Sequence, residues 1–145
     1  MSASGQCLCG KITFIASHDI SEVAVCHCAM CLRQGGPGMA THPGPAPEIK
    51  GAEHMAWYES SEWAERGFCR NCGSNLFYRL KGDEPQYSIM AGAFDDQTQF
   101  KLAAQIFIEE KPDYYAFAGD MPTMTGEEVF AMFAPSNDSS EEQKS

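Results

Sequence analysis

The sequence predicts a mostly β domain, stapled by metal and carrying one short helix near the C-terminus. Three observations predict it. Short alternating or β-rich runs recur along the chain, and Gly, Pro or Asp residues separate most of them. A helix start signal stands out at one place, Thr125. Seven cysteines fall into three tight clusters: Cys7 and Cys9; Cys26, Cys28 and Cys31; Cys69 and Cys72.

The elements follow in order. Lys11 to Ile15 alternates, with Ile12 and Phe14 on one side and Lys11 and Thr13 on the other, a half-buried strand leaving the first cysteine pair. Val23 to Val25 reads as a short strand running into the central cluster. "GGPGMATHPGPAP" is a turn-rich loop, with a short extended piece at Met39 to His42. Further strands are predicted at Met55–Tyr58, Asn75–Leu80, Tyr87–Ala93 and Leu102–Ile108. Thr125 with Glu128 makes a capping box, and Val129, Phe130, Met132 and Phe133 supply an apolar face behind it. Residues 1–134 are expected to form a single zinc-binding domain. Residues 135–145 are polar and are expected to form a mobile tail.

Composition narrows the function classes. At 145 residues, with 43% hydrophobic and 11% aromatic content, the chain can bury a core of its own. No apolar run approaches the roughly 20 residues needed to span a bilayer, and the N-terminus lacks the basic start and apolar centre of a secretory signal. The expected compartment is the cytoplasm. A formal charge of −10 argues against a phosphate backbone as the main partner, because nucleic-acid affinity rests on cation neutralisation. The sequence does not specify an oligomeric state.

An odd number of cysteines cannot be fully paired within one chain, and CxC and CxxC spacings in a reducing compartment read as metal ligands. Closed zinc sites commonly draw four ligands as two pairs. Cys7/Cys9 and Cys69/Cys72 are two such pairs, and joining them would close most of the domain into one loop. That leaves Cys26, Cys28 and Cys31. If the chain is extended there, alternation turns both Cys26 and Cys28 to one side and His27 to the other. His42 and His54 could supply a fourth ligand, but no spacing points to either. The remaining readings are a three-thiolate site with an open fourth position, as in catalytic zinc, or three free thiols. Three thiolates around zinc sum to a charge of about −1, a weak Lewis acid suited to an incoming thiol more than to water.

"CLCGKITF", "CHCAMCLRQGG", "ERGFCRNCGSNLFY", "IMAGAFDD", "QIFIEEKPDYY" and "DMP" occur here in the order seen in the glutathione-dependent formaldehyde-activating enzyme family, which also includes centromere protein V. The sequence resembles that family over about residues 5 to 122. The resemblance implies coiled β-sheets of the Mss-four-like zinc fold. It also implies two Zn2+ per chain, a structural one on Cys7, Cys9, Cys69 and Cys72 and a second, at the active site, on Cys26, Cys28 and Cys31. The implied activity is that of a carbon–sulfur lyase, joining formaldehyde and glutathione in the reverse direction. The implied partner is thus a small thiol, glutathione first among them.

Glutathione is an anion, and a −10 chain offers it no global attraction, so a local cation is needed. Arg33, two residues past the central cluster, and Arg66, three before Cys69, are the candidates. Ser61, beside Ser60, could meet a polar substrate or serve only in a turn. The alternative to an enzyme is a non-catalytic zinc module that binds a protein or nucleic acid.

Overall fold

The computed structural model describes residues 3–133, so the tail expected at 135–145 lies outside the described residues. Among the described residues eleven strands are arranged in three sheets. The first is antiparallel, in the order β1 (Ser4–Gln6), β2 (Thr13–Ile15), β5 (Glu48–Lys50). The second has the order β11 (Thr123–Met124), β10 (Lys101–Ile106), β3 (Glu22–Cys26), β4 (Gly38–Thr41). The third is an antiparallel meander of β6 (Met55–Glu59), β7 (Ala64–Cys69), β8 (Asn75–Leu80) and β9 (Gln86–Ile89). Single antiparallel bridges join β1 and β4 to the segment after β9, Gly5 to Phe94 and Ala40 to Met90.

The fold is mostly β with a short C-terminal helix, as the sequence predicts, and the run ending in the central cluster is a strand as expected. The core forms where alternation placed it. Ile12 and Phe14 face inward and meet Leu76, Phe77, Ile89, Met55 and Phe94. The Phe14 ring packs edge-on against Phe77 at 5.5 Å and Phe94 at 5.2 Å between centroids. Cys7 and Cys69 belong to the same cluster, so the outer cysteine pairs sit at the end of the core.

The C-terminal helix α2 (Gly126–Phe133) begins as its capping box requires. The Thr125 N–H donates to Glu128 Oε1 at 2.8 Å, and the Glu128 N–H donates to Thr125 Oγ1 at 3.1 Å. A second helix, α1 (Ala29–Gln34), was not expected and lies inside the central cysteine block.

Two expected strands end early. The run from Tyr87 stops at Ile89, and Ala91–Ala93 turns as a 3-10 helix. The run from Leu102 stops at Ile106, because Phe107 adopts φ 55 and turns the chain. Its ring lies where a side chain on Gly126 would stand, 2.6 Å from an ideal Cβ there, which fixes a glycine at the start of α2.

For the candidate site the important feature is the parallel pairing of β3 with β10, which sets Cys26 beside Ile106 and, on its other side, opposite Gly38 of β4. The central cluster therefore starts from an interior strand of the second sheet, a rigid base.

Candidate metal centres

The two outer cysteine pairs converge. Cys7 and Cys9 lie on a turn closed by Gly10, at φ 82, whose N–H donates to the Cys7 carbonyl at 3.1 Å. Cys69 ends β7, and a second turn carries Cys72 to Gly73, at φ 81, whose N–H donates to the Cys69 carbonyl at 2.8 Å. The Leu8 N–H donates to Ser74 Oγ at 2.9 Å and locks one turn on the other. Backbone N–H groups also point at sulfur, from Ile12 to Cys7 Sγ at 3.4 Å and from Cys72 to Cys69 Sγ at 3.5 Å. Such bonds favour thiolates.

All four Sγ atoms lie within 4.8 Å of one another, and no cysteine in the chain is in a disulfide. The Cys7–Cys9 and Cys9–Cys69 sulfurs are 3.6 and 3.8 Å apart. A tetrahedron with zinc–sulfur bonds of about 2.3 Å has an edge of about 3.8 Å, so this donor set fits zinc. The Ser74 hydroxyl, with backbone N–H groups of Ser74 and Cys9, draws the Cys72 thiol down to about 5. The Asn71 side chain, then the Lys11 backbone N–H, lowers Cys9 as well.

The second centre is built from Cys26, at the end of β3, and both ends of the first turn of α1. Cys28 is the N-cap of α1: its backbone is extended (φ −66, ψ 157) and its Sγ accepts the Cys31 N–H at 3.4 Å. The helix ends when Gly35 and Gly36 both donate to the Cys31 carbonyl. Gly38, opposite Cys26, leaves room for Cys31 Sγ, which would stand 3.4 Å from a Cβ there. The Ala29 N–H is held by Glu110 Oε1 at 2.9 Å, tying the start of α1 to the turn after β10.

The three Sγ atoms lie within 4.8 Å of one another. Among the described residues no fourth His, Cys, Asp or Glu ligand atom joins them; His42 and His54 lie elsewhere, beside Glu22 and Glu53. The three thiols share protons unequally. Hydrogen bonds from Cys26 and then Cys31 pull Cys28 down to about 2, while the bonds of Cys26 with Cys28 and then Cys31, and burial, raise Cys26. In Cys31 the bond with Cys26 favours the thiolate, but the bond with Cys28 and burial outweigh it. This donor set also fits zinc, with room in its tetrahedral number for one more ligand.

His27 turns to the opposite side, as alternation predicts, and is fully buried. Its Nε2 lies 2.8 Å from Gln105 Oε1, which can only accept, and its Nδ1 lies 2.7 Å from Tyr115 Oη. In the neutral tautomer Nε2–H donates and Nδ1 accepts from tyrosine. Tyr115→Phe is expected to leave that acceptor buried and unpaired, lowering stability by about 1–3 kcal/mol in denaturant unfolding.

The other candidates separate. Arg33 is exposed on α1. Arg66, on β7, is buried, with Nη1 2.6 Å from Gln34 Oε1 and both terminal nitrogens 3.7 Å from Cys31 Sγ. Ser60 and Ser61, on the turn between β6 and β7, each bury a hydroxyl that has no partner among the described residues. Gln34, Tyr78 and Tyr115 were not singled out from sequence. The Arg66 guanidinium lies 5.1 Å over the Tyr78 ring.

The model of the family described as glutathione-dependent formaldehyde-activating enzyme matches residues 2–110. The chain is 34% identical over 126 residues to an uncharacterized lyase of Schizosaccharomyces pombe, covering 86% of this chain and 92% of that protein. A crystal structure of a Rhodobacter sphaeroides protein, a structural genomics target, shares the fold. It superposes with a TM-score of 0.52 at 18% identity, over 83% of this chain and 98% of the other. The family match spans both cysteine centres, and the chain belongs to the glutathione-dependent formaldehyde-activating enzyme family.

Proposed function

We propose that this protein is a carbon–sulfur lyase acting on a small thiol adduct, of the type that interconverts S-hydroxymethylglutathione with formaldehyde and glutathione. The observation that carries the reading is the three-sulfur centre of Cys26, Cys28 and Cys31, which among the described residues has no fourth protein ligand. The closed set of Cys7, Cys9, Cys69 and Cys72 takes the structural zinc, and the three-sulfur set takes the second.

A zinc ion held by Cys26, Cys28 and Cys31 would supply one thing, ionisation at neutral pH of a thiol that joins them. The residues around it do the rest. In the synthetic direction the substrate sulfur forms a bond to the carbonyl carbon of formaldehyde, and its former proton is balanced by one taken up at the carbonyl oxygen. In the lyase direction the carbon–sulfur bond breaks, the hydroxyl gives up its proton as the carbonyl re-forms, and the released sulfur takes one proton up. The strand end and helix cap hold the sulfurs in place without substrate, so little ordering is left for binding. Arg33, exposed beside the centre in sequence, is the cation proposed for a substrate carboxylate, and Ser61 offers an unpaired hydroxyl. His27, held by Gln105 and Tyr115, is a support and not a ligand.

The test is to follow formaldehyde consumption and carbon–sulfur bond formation by NMR with glutathione, cysteine and other small thiols, alongside thiol binding to the zinc-loaded protein. A thiol that binds and turns over is the expected result. If no thiol binds while the protein holds two zinc ions, the reading falls, and a non-catalytic zinc module that binds a macromolecule takes its place.

A further inference from the structure

Arg66 is 6% exposed, yet among the described residues no carboxylate forms a salt bridge with it. A guanidinium stays charged at any ordinary pH, and a buried charge requires a counter-charge. Arg79, on the adjacent strand β8, meets this need in the ordinary way, through Glu65. Arg66 instead directs both terminal nitrogens at one sulfur, 3.7 Å each to Cys31 Sγ. Its other polar partner is the neutral amide oxygen of Gln34, on the last residue of α1. Its Nε–H is buried and finds no acceptor among the described residues. The side chain is held by the Tyr78 ring and by Gln34, and what it faces is the three-cysteine centre.

We propose that Arg66 is a positioning residue of that centre, its guanidinium being the fixed counter-charge that lets three thiolates, and then a fourth sulfur, gather on one metal ion. This rests on the reading of Cys26, Cys28 and Cys31 as a metal centre. Three thiolates on a divalent ion leave a net negative charge, and an added substrate thiolate increases it. A cation fixed by the fold beside Cys31 offsets that charge without reorganisation. Its two-pronged donation also fixes where the Cys31 sulfur points. Gln34 then acts as the clamp that keeps the fork turned toward sulfur, coupling the end of α1 to β7.

The test uses the full chain loaded with zinc or cobalt, with Arg66→Met to remove the charge at similar size and Arg66→Lys to keep the charge without the fork. Zinc affinity is read by competition with a chromogenic chelator. In the wild type two ions are expected, one held more weakly. Arg66→Met is expected to lower the affinity of the weaker ion at least tenfold and leave the tighter one unchanged, with Arg66→Lys falling between. A cation bonded to sulfur stabilises its lone pairs, so the sulfur-to-cobalt charge-transfer band is expected to move to longer wavelength in Arg66→Met. A packing role alone would not move it. A folded Arg66→Met with wild-type affinity and an unmoved band overturns the proposal and leaves the metal-centre reading intact. A wild-type protein that holds one ion overturns both. Should Arg66→Met fail to fold, Arg66→Lys decides: lowered affinity with a shifted band supports the proposal, and wild-type values for both overturn it.

Discussion

Cys69→Ser is expected to leave the chain without a cooperative fold. Cys69 is fully buried at the end of β7, belongs to the main core, and lies 3.8 Å from Cys9 across sixty residues of sequence. On the proposal that Cys7, Cys9, Cys69 and Cys72 share a zinc ion, it is one of four bonds that tie the first sheet to the third. Zinc in small structural sites contributes about 10–16 kcal/mol of apparent folding free energy. That equals or exceeds the whole stability of an ordinary domain, about 5–15 kcal/mol. A serine hydroxyl at that place stays protonated and is a far poorer ligand, and it also adds a polar atom to an apolar core. Circular dichroism, limited proteolysis and zinc content check this together. Loss of the melting transition, rapid digestion and loss of the tighter zinc are expected. A variant that melts like the wild type with both zinc ions retained would overturn the structural assignment of these four residues.

How much of this was legible beforehand differs from element to element, for physical reasons. The alternation of Ile12 and Phe14 with Lys11 and Thr13 announced β2, which begins at Thr13, because one face is buried and the other is not. The capping box before α2 was legible because each of its two bonds requires a particular residue type. By contrast β7, "AERGFC", interleaves charged residues and a glycine and reads as no strand. Its glycine is required by contact: Met55 and Trp57 atoms stand 2.7 Å from where a Gly67 Cβ would be. Helix α1 is six residues long with no buried apolar stripe, and its N-cap acceptor is a cysteine sulfur instead of the usual oxygen. Strand β1, "SGQ", has no β-forming residue and exists because Gly5 fits against Phe14 and the Ala93 carbonyl.

The candidate sites divide along the same line. The sulfur groupings follow the clusters that CxC and CxxC spacing marks, because each short turn presents its own thiols together. The turn of His27 away from Cys26 and Cys28 followed from alternation, but its partners Gln105 and Tyr115 did not, because they arrive through the parallel pairing of β3 with β10 and the segment beyond it. In sequence Arg66 reads as a candidate cation for a substrate carboxylate, three residues before Cys69. Its place against Cys31 depends on α1 docking at β7, a contact with no local signature.

Cys28→Ser separates catalysis from folding where Cys69→Ser cannot. Cys28 is the α1 N-cap, and a serine there preserves the cap, since its hydroxyl can accept the Cys31 N–H in place of sulfur. The variant is therefore expected to keep the three sheets and to melt within a few degrees of the wild type. It loses the sulfur most disposed to be a thiolate, the one toward which Cys26 and Cys31 both direct hydrogen bonds. On the proposed reading the second centre then has two protein sulfurs, too few to hold zinc against a competing chelator. Thiol turnover is expected to fall by roughly a thousandfold or more, a barrier increase of about 4 kcal/mol, with zinc content dropping from two ions to one. Steady-state kinetics with metal analysis on the same preparation checks both. Retained turnover with one zinc would move the chemistry away from this centre. Loss of fold together with turnover would show that the three sulfurs hold the protein together as the four do, and the division between the two centres would fail.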